Sequence, residues 1–198
     1  MLGLCAGCRW KINDSVSIRD GERLSIGRTA INGSVFTGSG CEVRGMLRAV
    51  NGVVRVGRDS EVGSCQAVNG GIGLEENVRV HGHAKAVNGA VMSEMGCTIE
   101  TYVHAVNGAV TLKGTQVGKD VVSWNGDITL EDGCRVAGDL IVKKTKGSGS
   151  RHHTLKVTLD NSVVSGNVEC TDDRMKTILV LRGDSRVEGK IINMEVQQ

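Results

Sequence analysis

The sequence predicts an all-β chain folded as one three-sided parallel β-helix, a β-solenoid of about nine winds of 18–19 residues each. Three observations predict it. Asparagine recurs at Asn13, Asn32, Asn51, Asn69, Asn88, Asn107 and Asn125, at intervals of 19, 19, 18, 19, 19 and 18 residues. Aliphatic residues hold fixed distances from each asparagine, with glycine-rich turns between them. The composition suits a thin interior: among 198 residues there are 28 glycines, no proline and only 2% aromatics, so Val, Ile, Leu and Ala must fill the core. Self-similarity at this period marks units that bury their apolar face only by stacking on one another.

Each strand follows from its position in the repeat. Three residues after the asparagines stand Val16, Val35, Val54, Ile72, Val91, Val110 and Ile128, and two residues further stand Ile18, Thr37, Val56, Leu74, Ser93, Leu112 and Leu130. This alternation predicts a first strand with one buried side. Eleven residues after the asparagine lie Leu24, Val43, Val62, Val80, Ile99 and Val136, with Val117 one residue early, which predicts a second strand. A third ends in small residues just before the next asparagine: Ala30, Ala49, Ala67, Ala86, Ala105 and Ser123. Hairpins would reverse the chain without keeping such a register, so the chain must wind. Asn-Gly then reads as a corner. Coils about 4.8 Å apart let stacked carboxamides bond along the axis, and the glycine is expected to take the positive φ of the turn.

The pattern loosens after Asn125 but continues. "ITLEDGCRVAGDL" from Ile128 is echoed by "VTLDNSVVSGNV" from Val157 and "LVLRGDSRVEGKI" from Leu179, with Val136, Val164 and Val187 spaced 28 and 23 apart. Two winds therefore carry insertions, read as "KKTKGSGSRHH" and "CTDDRMKT". Residues 1–12 read as an apolar cap or signal remnant, 13–192 as the solenoid and 193–198 as a tail. Nine layers make a rod of about 40 Å.

The 24 Lys and Arg against 22 Asp and Glu leave a formal charge of +2, which selects neither an acidic nor a basic partner. No apolar run reaches the roughly 20 residues of a membrane span. Within "MLGLCAGCRW" the stretch "LCAGC" is similar to the end of a bacterial lipoprotein signal, with Cys8 as the acylated residue if a longer start lies upstream. Cys5 and Cys8 have C-x-x-C spacing but no second pair. Cys41, Cys97 and Cys134 share a column at separations of about 14 and about 10 Å, too far for a disulfide or a shared zinc. His81, His83 and His104 lie on neighbouring winds in different columns and are expected as exposed turn residues. Lys143, Lys144, Lys146 and Arg151, with His152 and His153, form a basic loop suited to an anionic surface. Stacking aromatics are too few for a nucleic-acid partner. No cofactor, metal or catalytic constellation is expected.

The stretches "ITLEDGCRVAGDLIV" and "LRGDSRVEGKI" resemble the repeats of bactofilins, bacterial polymer-forming cytoskeletal proteins. The resemblance implies a right-handed β-helix associating end to end into nonpolar filaments without nucleotide, in the cytoplasm or at the inner-membrane face. It makes the expected function structural and non-enzymatic, with the chain itself as partner. A second likeness points elsewhere. Val56, Val62, Val68, Leu74 and Val80 recur every six residues, similar to the left-handed hexapeptide helices of acyltransferases and gamma-class carbonic anhydrases. That reading makes His81, His83 and His104 the candidates for catalysis or zinc. A third alternative keeps the solenoid and exports it as a periplasmic lipoprotein or an adhesin-like module at the envelope surface.

Overall fold

The computed structural model describes residues 10–143, 154–172 and 176–198. Within them every regular element is a short strand, and every strand pair is parallel. The chain forms a parallel β-solenoid with three faces. The first face is a sheet of ten strands running from Val16–Ile18 to Glu195–Gln197, so nine full turns separate its first strand from its last. The other two faces form one sheet of 17 strands, because Glu42–Ala49 and Glu61–Ala67 cross the corner between them unbroken.

The sequence columns are physical rows. On the first face Val16 pairs with Val35, and the row continues through Val54, Ile72, Val91, Val110, Ile128, Val157 and Leu179 to Val196. The second row runs Leu24, Val43, Val62, Val80, Ile99, Val117, Val136, Val164 and Val187. Ala30, Ala49, Ala67, Ala86, Ala105 and Ser123 line the third, all fully buried. Val54, Val56, Val62, Ile72, Leu74, Val80, Val91, Ile99, Val110, Leu112, Ile128, Leu130 and Val136 all lie in one continuous core. Two polar residues interrupt the Leu74–Leu112 row without being left unpaired. Ser93 Oγ lies 2.7 Å from Thr115 Oγ1, which donates to Lys113 O, so Ser93 supplies the proton between the two hydroxyls. Thr37 Oγ1 accepts from Gly57 N.

The asparagine ladder is continuous. The Asn32 carboxamide donates to Asn13, Asn51 to Asn32, Asn69 to Asn51, Asn88 to Asn69, Asn107 to Asn88 and Asn125 to Asn107. The glycine beside it plays a different part from the one expected. Asparagine itself takes the left-handed backbone, with φ of 53–59° at Asn13, Asn32, Asn88, Asn107 and Asn125. The following glycine is required by contact: a Cβ on Gly108 would sit 2.1 Å from Gly89 O, and one on Gly70 would sit 2.1 Å from Gly52 O. Positive φ on glycine does occur at the corner between the first and second faces, at Gly21, Gly40 and Gly96, with Asp59 and Asn77 taking that place in the two coils between.

The two 18-residue intervals omit their residue at different corners. One lies between Val62 and Ser64, opposite a bulge between Val43 and Met46. The other lies between Leu112 and Gln116, where the preceding coil uses one residue more between Ser93 and Thr98. The rows pass both places in register. At the C-terminal end the strand Glu195–Gln197 pairs with Thr177–Arg182, so the segment read as a tail carries the tenth strand of the first face. At the other end Trp10–Ile12 pairs with Arg28–Ile31, so pairing begins within the segment read as a cap.

Val62→Asp is expected to unfold the rod or lower its stability by several kcal/mol, because the carboxylate would be unpaired in an aliphatic interior about one side chain wide. A thermal melt by circular dichroism that stayed near wild type would place Val62 outside the core. Gly108→Ala is expected to cost at least about 2 kcal/mol, since its methyl group meets backbone rather than a movable side chain. Gly73→Ala, whose nearest neighbour is Arg55 Nε at 4.0 Å, is expected to stay within about 0.5 kcal/mol of wild type. Urea unfolding of the two variants checks the contrast.

Candidate functional site

The inward rows are almost wholly buried and aliphatic, so chemistry is sought on the outward rows and at the ends of the rod. The second face carries a charged outward row whose members answer one another. Glu42 lies 3.6 Å from Arg23 and 3.0 Å from Arg44, and Arg79 lies 3.8 Å from Glu100. His81 bridges two coils, Nε2 to Glu61 at 3.2 Å and Nδ1 to Glu100 at 3.0 Å. These pairs are exposed, so each contributes about 0–1 kcal/mol and little net field.

The three histidines of neighbouring coils stay in different rows. His81 is exposed at a bend, as expected of a turn residue. The other two differ from that expectation. His83 is half-buried because its ring lies flat on Tyr102 of the next coil, with centroids 4.9 Å apart and planes within 3°. His104 belongs to the strand Val103–Val106, between Lys85 and Val122, and its Nε2 is buried without a partner. Desolvation, assisted by the Lys85 ammonium, holds both His83 and His104 below the ordinary histidine pKa, and Lys143 adds to the effect at His104. Both rings are therefore neutral near pH 7. Among the described residues no group of three or more His, Cys, Asp or Glu is placed to hold a metal ion.

The cysteines are buried in packing roles. Cys41, Cys97 and Cys134 share a row with Ser60, Thr115 and Ser162, all buried behind the corner of the first and second faces. Their thiols donate to carbonyls of a neighbouring coil: Arg19 for Cys41, Glu75 for Cys97 and Leu112 for Cys134. Burial pushes the Cys65 thiol up to about 12 and raises those of Cys97 and Cys134, so none is a ready nucleophile. Cys5, Cys8, Lys144, Lys146, Arg151, His152 and His153 lie outside the described residues. Lys143 lies within them, with its ammonium 5.6 Å over the Trp124 ring.

The six-residue beat from Val56 to Val80 does not mark one environment. Val56, Val62, Leu74 and Val80 point inward, whereas Val68 follows buried Ala67 and is half-exposed on the outside of the third face. Val68 belongs to an outward row that the inward columns concealed: Ile12, Ile31, Val50, Val68, Val87, Val106 and Trp124, one per coil. Its signal was in plain view as the apolar residue immediately before each asparagine from Asn13 to Asn125. No helix among the described residues is long and apolar enough to cross a membrane.

The two ends of the rod differ. At the N-terminal end Val16 and Ile18 are only 6% and 4% exposed. Lys11 and Arg28 stand there at inward register positions, opposite Ala30 and Leu47. Lys11 bonds Asp14 and Ser15 O, while Arg28 donates to Ile26 O and Gly27 O. At the C-terminal end the inward positions Ile191 and Val196 are 39% and 43% exposed, although Val168 and Leu179 beneath them are fully buried. The strands Arg186–Val187, Ile191–Ile192 and Glu195–Gln197 each pair on one side only among the described residues.

His83 and His104 make stability depend on pH with a definite sign. The unfolded chain takes up protons at these rings below about pH 6.5, and the folded chain takes them up only at lower pH. Their neutral-state stability is fully present above about pH 6.5 and is lost as pH falls through the depressed folded values. The melting temperature is expected to fall more between about pH 7 and about pH 5 in wild type than in a His83→Gln, His104→Gln double variant, as measured by thermal melts across that range. Similarity to known proteins adds no constraint of its own: no protein-family model, curated protein or solved structure matches the chain.

Proposed function

We propose that this protein is a non-enzymatic structural solenoid that associates with copies of itself end to end, in the manner of the bactofilins that its C-terminal repeats resemble. The observation that carries this reading is the exposure of Ile191 and Val196 at inward register positions of the last described coil. An interior coil buries its aliphatic row between two neighbours, whereas Ile191 and Val196 have a neighbour on one side only. Unpaired parallel edges beside exposed aliphatic residues are a template for further strands. Among the described residues the N-terminal end offers less, since charges at Lys11 and Arg28 stand there at inward register positions, a device that blunts edge pairing. The C-terminal ends therefore meet each other, which makes the joint symmetric and the assembly nonpolar.

Analytical ultracentrifugation and negative-stain microscopy of the purified chain test this. Wild type is expected as pairs of rods joined end to end, about twice the length of a single rod. An Ile191→Lys, Val196→Lys variant is expected to dissociate about tenfold more readily or beyond, since each aliphatic side chain returned to water forfeits about 1.5–3 kcal/mol. A single-rod species at all concentrations, or association undiminished in the variant, overturns the reading.

A further inference from the structure

The third face departs from what a solenoid needs. Stability requires only that the inward rows be apolar, and a solvent-facing row is free to be polar. Here the outward row beside the asparagine ladder is apolar in coil after coil: Ile31, Val50, Val68, Val87, Val106 and Trp124. Five steps of about 4.8 Å make a straight stripe about 24 Å long. At its N-terminal end the exposed side chains of Ile26 and Met46 line a shallow hollow with Ile31 and extend the apolar surface. Contiguous apolar surface of this kind marks a docking site on a soluble chain.

The charges next to the stripe say what docks. In the adjoining outward row stand Arg48, Lys85 and His104, and Lys143 continues the stripe itself beyond Trp124. Neither Arg48 nor Lys85 has an ion-pair partner among the described residues, in contrast to the second face, where Arg23, Arg44, Arg79 and His81 all face glutamates. Among the described residues the only carboxylate at an outward strand position of the third face is Glu169, near the far end. Asp120 and Asp139 border the face at its corner but are turned to backbone amides of the next coil, Asp139 N and Asn167 N. A second copy laid on this face would set Arg48, Lys85 and Lys143 against their own kind. An occupant must instead be acidic and apolar at once over a flat strip.

We propose that the third face of the rod docks on an anionic lipid surface, with Arg48, Lys85 and Lys143 toward the headgroup charge and the Val50–Trp124 stripe against the acyl boundary. Trp124 suits that boundary, since its ring is apolar and its N–H is polar. The proposal is independent of end-on association: it uses the side of the rod and leaves both ends free.

Co-sedimentation with vesicles of phosphatidylcholine alone, or of phosphatidylcholine with phosphatidylglycerol, tests it. The full chain is expected to bind the phosphatidylglycerol vesicles, to be released by salt and to ignore pure phosphatidylcholine. Arg48→Glu with Lys85→Glu lies on the outside of the sheet and is expected to keep the fold while weakening partition by about tenfold or more. Val68→Ser with Val87→Ser is expected to weaken it in the same direction. Trp10→Phe leaves Trp124 as the only tryptophan, whose emission is expected to shift to the blue and be quenched by brominated lipid. Several results would overturn the proposal: no binding to phosphatidylglycerol vesicles, binding without quenching of Trp124, or binding that survives Arg48→Glu with Lys85→Glu but is abolished by Lys144→Glu with Lys146→Glu and Arg151→Glu. Lateral dimers that dissolve on Val68→Ser with Val87→Ser, with no vesicle binding, would assign the face to a second copy instead.

Discussion

The structure depends on one close contact repeated along the rod. At the asparagine corner each glycine from Gly52 to Gly126 lies against the carbonyl of the glycine one coil away, and Gly33 against that of Asp14, so near that a methyl group would intrude on backbone. Two coils can approach that closely only if their corners have the same shape. Over those coils the contact thereby fixes the phase, and the features with a period of one coil follow from it. Carboxamides reach each other, aliphatic rows align, and backbone ladders close on three sides, with the bulge between Val43 and Met46 absorbed at a corner.

A fixed phase also explains how so few kinds of side chain suffice. The interior is only about one side chain wide, so aliphatic residues from three faces fill it without aromatic bulk, and a polar residue is tolerated where a neighbouring coil supplies a partner. Ser93 and Thr115 illustrate this, as do the cysteines whose thiols find carbonyls of a neighbouring coil. The same rigidity turns the outside into rows. A side chain placed outward in one coil is displayed at one-strand spacing in the next, so paired charges gather on the second face and aliphatic residues on the third.

Most of the fold was legible because the repeat states the same thing seven times. Asn13 to Asn125 gave the period, the inward rows followed from it, and composition excluded a thick core. What could not be read is equally physical. Nothing in Asn-Gly says which of the two residues turns left-handed, and the answer depends on a contact across coils rather than along the chain. Val68 could be assigned inward by a six-residue count because a valine reads the same on either side of a strand; only the buried alanine before it decides. His83 and His104 differ from exposed turn residues for a similar reason, since Tyr102 and Lys85, their covering neighbours, lie one coil away, 19 residues along the chain. The C-terminal strand was hidden because "EVQ" is too polar to announce itself and is placed by its neighbour Thr177–Arg182.

Where the ladder stops has a consequence for how such a rod could be elaborated. After Asn125 the chain leaves the third face at Lys143 and re-enters the first at Leu155, and it leaves again at Cys170 and re-enters at Thr177. Both departures use the corner that asparagine occupied in earlier turns. Strand pairing resumes afterwards without slippage, Ile128 on Val157 and Val157 on Leu179. That edge of the prism is a splice port. Because doubling the length of a loop costs only about 0.6 kcal/mol, foreign peptides grafted at that edge could be displayed at chosen heights along the shaft.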